Sequence, residues 1–174
     1  GYSGFNMWII KVDSLGSIQW QKCIAEPSLG YIGTGVDLTA DGKIIVSGKM
    51  FPEASAPQIN GFVTKLDTNG LQLWAKKFSY LHLYYEISGV VANPDSTIIV
   101  IGSVGTYYND TLFYGGHGQS DCWMTKLDKN GMALWTKYFG GSYFDYALSI
   151  FRTYSGNFLV AGKSFSGDGN NTKH

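Results

Sequence analysis

One pattern occurs three times in this chain and limits its fold more than any other feature. Trp8-Ile9-Ile10-Lys11-Val12-Asp13 runs on to Gly16 and Trp20. Phe62-Val63-Thr64-Lys65-Leu66-Asp67 runs to Gly70 and Trp74, and Trp123-Met124-Thr125-Lys126-Leu127-Asp128 to Gly131 and Trp135. The shared form is aromatic-x-x-K-[VL]-D-x-x-G-x-x-x-W, with Lys-to-Lys steps of 54 and 61 residues. A second unit follows each copy, at 36–48, 90–102 and 148–162, ending each time in an apolar run and Gly48, Gly102 or Gly162. Self-similarity at this spacing is the mark of a repeat architecture.

Each repeat reads as four strands. Trp123, Thr125 and Leu127 alternate with Met124 and Lys126, the two-residue period of a strand. The D-x-x-G step suits a tight hairpin, with Asp accepting turn amides and Gly supplying a positive φ. A second hairpin is expected around Asp41-Gly42, Pro94-Asp95-Ser96 and Ser155-Gly156. No dozen residues carry a helical stripe, so essentially no helix is expected. The predicted class is all-β: β-propeller blades of four antiparallel strands, about three repeats (6–59, 60–120 and 121–174) in a single segment, 1–174, of a larger propeller.

A twisted four-stranded sheet cannot bury both faces alone, and stacked blades cover one another. Trp20, Trp74 and Trp135 are the expected inter-blade docking residues. A fully buried Trp removes about 150–250 Å² from water, a gross gain of roughly 4–6 kcal/mol as an upper bound. The phase of the ends predicts split blades, with an outer half at Trp8–Cys23 and an inner half at Asp145–Ser164. Three blades are too few to close a ring, so a longer parent chain or assembly between chains is expected. A removed signal segment or an internal piece is expected from the start at Gly1.

The composition narrows the function classes. Thirteen Lys+Arg balance thirteen Asp+Glu, which argues against a nucleic-acid partner. No run of about 18 apolar residues predicts a membrane span. Cys23 and Cys122 form neither a C-x-x-C pair nor a disulfide framework. Aromatics at 16% and 23 Gly among 174 residues fit many strands and tight turns rather than disorder.

The string from Asp121 to Asp128, with Gly131, Trp135, Gly140-Gly141-Ser142, Asp145, Gly162 and Ser166-Gly167-Asp168-Gly169, resembles the β-propeller repeat of secreted and cell-surface Bacteroidota proteins (SBBP-like repeats, associated with type IX secretion). The resemblance covers nearly all of 6–169 and is best in the third repeat. The first departs from it, with Glu26-Pro27 in place of Gly-Gly-Ser. It implies an extracellular or cell-surface, non-enzymatic structural and interaction module with no catalytic residues to carry over. The expected partners are a protein or a glycan, including other subunits of an outer-membrane or surface complex. The G-x-x-x-W step is also similar to the tryptophan-docking motif of pyrroloquinoline-quinone dehydrogenase propellers. That keeps a propeller enzyme, hydrolase or quinone-dependent dehydrogenase, as an alternative beside a self-assembling ring subunit. The adjacent-cysteine ring and the carboxylate cluster for Ca²⁺ expected of the dehydrogenases are absent from the sequence.

Function is expected where the repeats differ. Lys11, Lys65 and Lys126, and Asp13, Asp67 and Asp128, recur in every repeat and are read as architectural. The variable segments are 24–35, 79–86 and 140–145, and 50–60, 103–120 and 164–174, all on one rim of a four-stranded meander. Candidate partner-binding residues are Tyr80, His82, Tyr84 and Tyr85, then Tyr107, Tyr108, Phe113, Tyr114 and His117, with Asp110, Tyr143, Phe144 and Tyr146 nearby. Exposed Tyr stacks on sugars or anchors a protein; the same rings packed over blade edges would be structural. His82, His117 and His174 lack metal-ligand spacing, and 168–171 lacks the alternating acids of a Ca²⁺ loop. No metal or cofactor is expected.

Overall fold

The computed structural model describes residues 5–27, 29–52, 59–80, 82–106 and 116–169. These hold twelve strands with almost no helix. β1 (Met7–Val12) and β2 (Ile18–Ile24) form a two-stranded sheet. β3 (Leu29–Leu38), β4 (Ile44–Pro52), β5 (Asn60–Leu66) and β6 (Gln72–Phe78) form a four-stranded sheet in that order. β7 (Leu83–Ala92), β8 (Ile98–Thr106), β9 (Ser120–Leu127) and β10 (Ala133–Phe139) form another. β11 (Asp145–Arg152) and β12 (Phe158–Ser164) form the fourth. Every strand pairing is antiparallel. The sequence pattern falls on β1–β2, β5–β6 and β9–β10, so each copy begins in one sheet and ends in the next. The hairpins expected at Trp8–Cys23 and Asp145–Ser164 form the two-stranded sheets β1–β2 and β11–β12. Among the described residues no helix is long and apolar enough to cross a membrane.

Burial on both faces explains the strand sequences. β5 is buried at every position, and β8 at all but its last. One face of β5, Phe62 and Leu66, meets Met7 of β1 together with Ile44, Val46 and Met50. The other face, Val63, joins Ile45 against Ile87, Val90, Trp123 and Leu127 of the third sheet. Ile99, Ile101 and Met124 turn the opposite way and pack on Ala147 of β11. Three apolar clusters therefore link the four sheets in chain order. Continuous apolar runs such as Ile98–Ile101 follow, because no strand face there is left for water.

Indoles reinforce two of these contacts. Trp20 Nε1 donates to the Thr68 carbonyl at 2.9 Å, and Trp74 Nε1 to the Lys129 carbonyl at 3.1 Å. Both acceptors follow the Asp of a D-x-x-G turn in the next sheet. The same rings rest on Gly70 and Gly131, where a Cβ would sit 3.3 and 3.1 Å from the ring. Lys22 adds a bond to the Gly70 carbonyl at 2.7 Å. Trp135 is half-buried against Ile99, Ile101, Met124 and Ala147.

The D-x-x-G turns work as their chemistry predicts. Asp13, Asp67 and Asp128 each accept two backbone amides through Oδ1, at 2.8–2.9 Å. Gly16, Gly70 and Gly131 have φ of 83°, 80° and 84°, a region that a side chain disfavours. Lys65 is buried and reaches Asp41 at 3.5 Å, and Lys126 reaches Asp95 at 3.5 Å. These recurrent charges thus fasten one hairpin to the turn of its neighbour.

Candidate binding face

In a meander, alternate connections leave by the same edge. The tight turns after β1, β3, β5, β7, β9 and β11 share one edge of the sheets, and the other connections share the opposite one. At that second edge the connections touch. Phe165 N donates to the Phe144 carbonyl at 2.9 Å, Ser120 N to the Tyr143 carbonyl at 3.4 Å, and Tyr85 N to the Ile59 carbonyl at 2.9 Å. Ser120 also bridges Phe144 in parallel fashion.

The candidate aromatics divide into two groups. Tyr80 is 69% exposed, and His82 is exposed with a positive φ of 67°. Tyr143 and Phe165 are exposed as well, and Phe144 lies between them in chain contact. His117 is exposed, with Nδ1 3.8 Å from the buried Asp121 carboxylate.

Tyr84 and Tyr85 correct the sequence reading. The segment 79–86 is not all loop, because β7 begins at Leu83 and takes both residues into the sheet. Likewise β3 begins at Leu29, inside the segment 24–35. Tyr85 packs edge-on against Trp123, with ring centroids 5.5 Å apart. Burial pushes its phenol up to about 12, and that of Tyr84 to about 12 as well. Tyr84 is hydrogen-bonded to Tyr146. Both rings are half-buried at the start of β7. Tyr107, Tyr108, Phe113, Tyr114 and Asp110 lie outside the described residues.

A set of aspartates at this edge went unread in the sequence. Asp121 is fully buried and accepts the His117 amide at 2.6 Å through Oδ2. Asp145, also buried, accepts the Gly141 amide and the Ser166 hydroxyl, each at 2.8 Å. Asp168 accepts the Ser142 amide at 2.8 Å, and Ser166 Oγ accepts that of Tyr143 at 3.0 Å. Gly140 lies between the first two carboxylates, and a Cβ there would collide with Asp121 and crowd Asp145. This clasp fixes the 140–144 connection against both the approach to β9 and the exit from β12. Burial raises the Asp121 carboxyl above its ordinary value, whereas the Ser142 amide holds Asp168 below it. The signal was present as Gly140-Gly141 close to Asp145, but partners 21 and 26 residues away cannot be read from spacing.

Two concave features accompany the face. A cavity of about 440 Å³ lies along β9 to β12, lined by Cys122, Met124, Phe139, Phe158, Val160 and Gly162 among others. Burial raises the Cys122 thiol to about 11, so it is a small apolar wall rather than a nucleophile. A second cavity, about 270 Å³, is lined by 34–36, 88–90 and 148–150. These are the equivalent points where β3, β7 and β11 each break register between Gly33/Gly35, Ile87/Gly89 and Ala147/Ser149. Three first strands thus bulge toward one shared groove. Among the described residues no group of three or more His, Cys, Asp or Glu is placed to hold a metal. Compared with known proteins, the chain matches no protein-family profile. Among curated proteins no match is found either.

Proposed function

We propose that this chain is a non-enzymatic structural and interaction module, a segment of a β-propeller in an exported or cell-surface protein. On this reading it binds a protein or glycan through the edge that carries the long connections. The observation that carries the reading is the separation of the two edges. One edge repeats the same Asp-capped turn three times. The other varies, and presents Tyr80, Tyr143, Phe144 and Phe165 to solvent above a rigid clasp. Exposed rings on a fixed frame suit stacking on a sugar or anchoring a partner at low entropic cost. The propeller arrangement is supported by the forward indole bridges and by the groove shared among β3, β7 and β11. The resemblance to secreted Bacteroidota repeats supports the location.

The test is a glycan array together with capture of surface proteins by the intact chain, repeated with Tyr80→Ala, Tyr143→Ala and Phe165→Ala. Each substitution at an anchor is expected to weaken binding by about 10-fold or more and to leave the melting temperature unchanged. Binding that none of the three disturbs would overturn the assignment of the face. A bound chromophore, or turnover lost on changing His82 or His117, would replace the reading with that of a propeller enzyme.

A further inference from the structure

Asp121 carries a carboxylate oxygen that meets no donor. The residue is 0% exposed, and among the described residues its Oδ1 has no hydrogen-bond partner. The other oxygen, Oδ2, accepts the His117 amide at 2.6 Å. Full burial leaves Oδ1 no water and no room for a donor from outside. A buried charge so placed is strongly disfavoured, and such a group gives up the charge instead.

A second carboxylate stands beside it. A Cβ added to Gly140 would lie within 2.7 Å of Asp121 Oδ1 and of Asp145 Oδ2 alike. Asp145 is 3% exposed, and its Oδ2 meets two donors, the Gly141 amide and the Ser166 hydroxyl. Its charge is therefore supported where a charge on Asp121 Oδ1 is not. The other groups around the pair offer little compensation. From the approach to β9, the exposed His117 brings Nδ1 to 3.8 Å from Asp121 Oδ1. Cys122, on β9 itself, feels both carboxylates. From the exit of β12 comes another acid, Asp168, engaged by the Ser142 amide. From β7, the Tyr84 phenol reaches Ser120, next to Asp121 in the chain. The repeat supplies a comparison. Asn60 pairs with Met50 in the register at which Asp121 pairs with Val104, and it too is buried. The frame holds an uncharged amide at this point of β5, and a protonated carboxyl is the matching group in β9.

We infer that Asp121 and Asp145 hold one proton between them in the folded protein, and that its loss releases the 140–144 connection. While the proton is held, Asp121 presents a donor to the Asp145 carboxylate, and Asp145 keeps Gly141 and Ser166. When the proton leaves to solvent, two negative charges face each other beside Gly140 with no water between them. Asp145 relieves the repulsion by turning outward, and it gives up the Gly141 amide and the Ser166 hydroxyl as it goes. Burial first, and then the Asp145 charge, raise the Asp121 carboxyl, while the His117 contacts oppose them. The clasp is thus a pH-sensitive latch. It governs how firmly Tyr143 and Phe144 are held, and it does not depend on what binds there.

The experiment is ¹³C NMR of the aspartate carboxyls in the 174-residue chain, titrated from about pH 3 to about pH 9. Asp121 and Asp145 should each show two steps at common midpoints, the upper at least ~1 pH unit above the ordinary carboxylate value of about 3.9. Asp145→Asn should leave Asp121 a single step, at least ~1 pH unit lower. Hydrogen exchange at the Gly141 amide, corrected for its intrinsic pH dependence, reads the latch. Its protection should fall at least ~10-fold across the upper step. Asp121→Asn keeps a donor without the charge and should hold that protection constant. Independent steps in the ordinary carboxylate range would overturn the proposal, as would an Asp121 step that Asp145→Asn does not move. So would Gly141 protection indifferent to pH, or an upper step displaced by added Ca²⁺, which would put a cation in the proton's place.

Discussion

Alanine placed in turn at Gly16, Gly70 and Gly131 separates the strain of the backbone from the contact with the indole. All three glycines sit at φ between 80° and 84°, so a Cβ costs each about 1–2 kcal/mol from the left-handed conformation alone. At Gly16 the Cβ enters open space. At Gly70 it lies 3.3 Å from the Trp20 ring and at Gly131 3.1 Å from that of Trp74, so the ring must retreat by a few tenths of an ångström. Each ring is tethered through Nε1 to the same turn, and retreat stretches that bond. Overpacking in a core costs about 1–3 kcal/mol; for a half-buried ring the lower end applies, about 1 kcal/mol at Gly131 and less at Gly70. The expected order of destabilisation is Gly131→Ala, then Gly70→Ala, then Gly16→Ala. The assay is urea unfolding followed by circular dichroism. A difference of 1 kcal/mol moves the midpoint by roughly 0.3–1 M. If Gly16→Ala costs as much as Gly131→Ala, the indole does not bear on the turn and the docking argument fails.

Other outcomes follow from single groups. Trp74→Phe should cost about 1 kcal/mol for the lost bond to the Lys129 carbonyl, with Trp74→Ala costing more; a Trp74→Phe variant as stable as the unaltered chain in urea unfolding would contradict the hydrogen bond. Asp121, raised by burial with the Asp145 charge adding and His117 opposing, stabilises the fold below the ordinary carboxylate value of about 3.9 and loses that contribution as pH rises through its folded value. Asp121→Asn should therefore gain stability relative to wild type on going from pH 4 to pH 7, read from melting temperatures. Asp41 and Asp95 are held low, first by Thr39 and Thr97 and then with help from Lys65 and Lys126. Their contribution is present above about 3.9 and lost as pH falls through the folded values. Thr39→Val with Thr97→Val should flatten acid unfolding in that window, and an unchanged acid limb would refute the pairing.

The sequence made the strands and tight turns legible because both are local. A two-residue period, an Asp and a Gly three residues apart, and an apolar run ending in Gly48, Gly102 or Gly162 each act within a few residues. The starts of β3 and β7 were not legible. Nothing local distinguishes Tyr84-Tyr85 in a loop from the same pair on a strand, and what decides it is the edge-on packing of Tyr85 against Trp123, 38 positions away in the numbering. The clasp at Asp121, Asp145 and Asp168 was hidden for the same reason. Its bonds join three connections, and only one copy of the pattern carries the full set of acids.

The indole bridges all run forward, from a strand to a turn 48 or 55 residues further along the chain. A molecule stapled this way has a polarity under tension. Stripping the last sheet uncovers the ring of Trp135 but leaves the bridges of Trp74 and Trp20 in place, so load applied at the two termini meets a series of separate rivets rather than one shared clamp. Stretched in an optical trap, such a chain gives way in steps, each releasing one sheet's length.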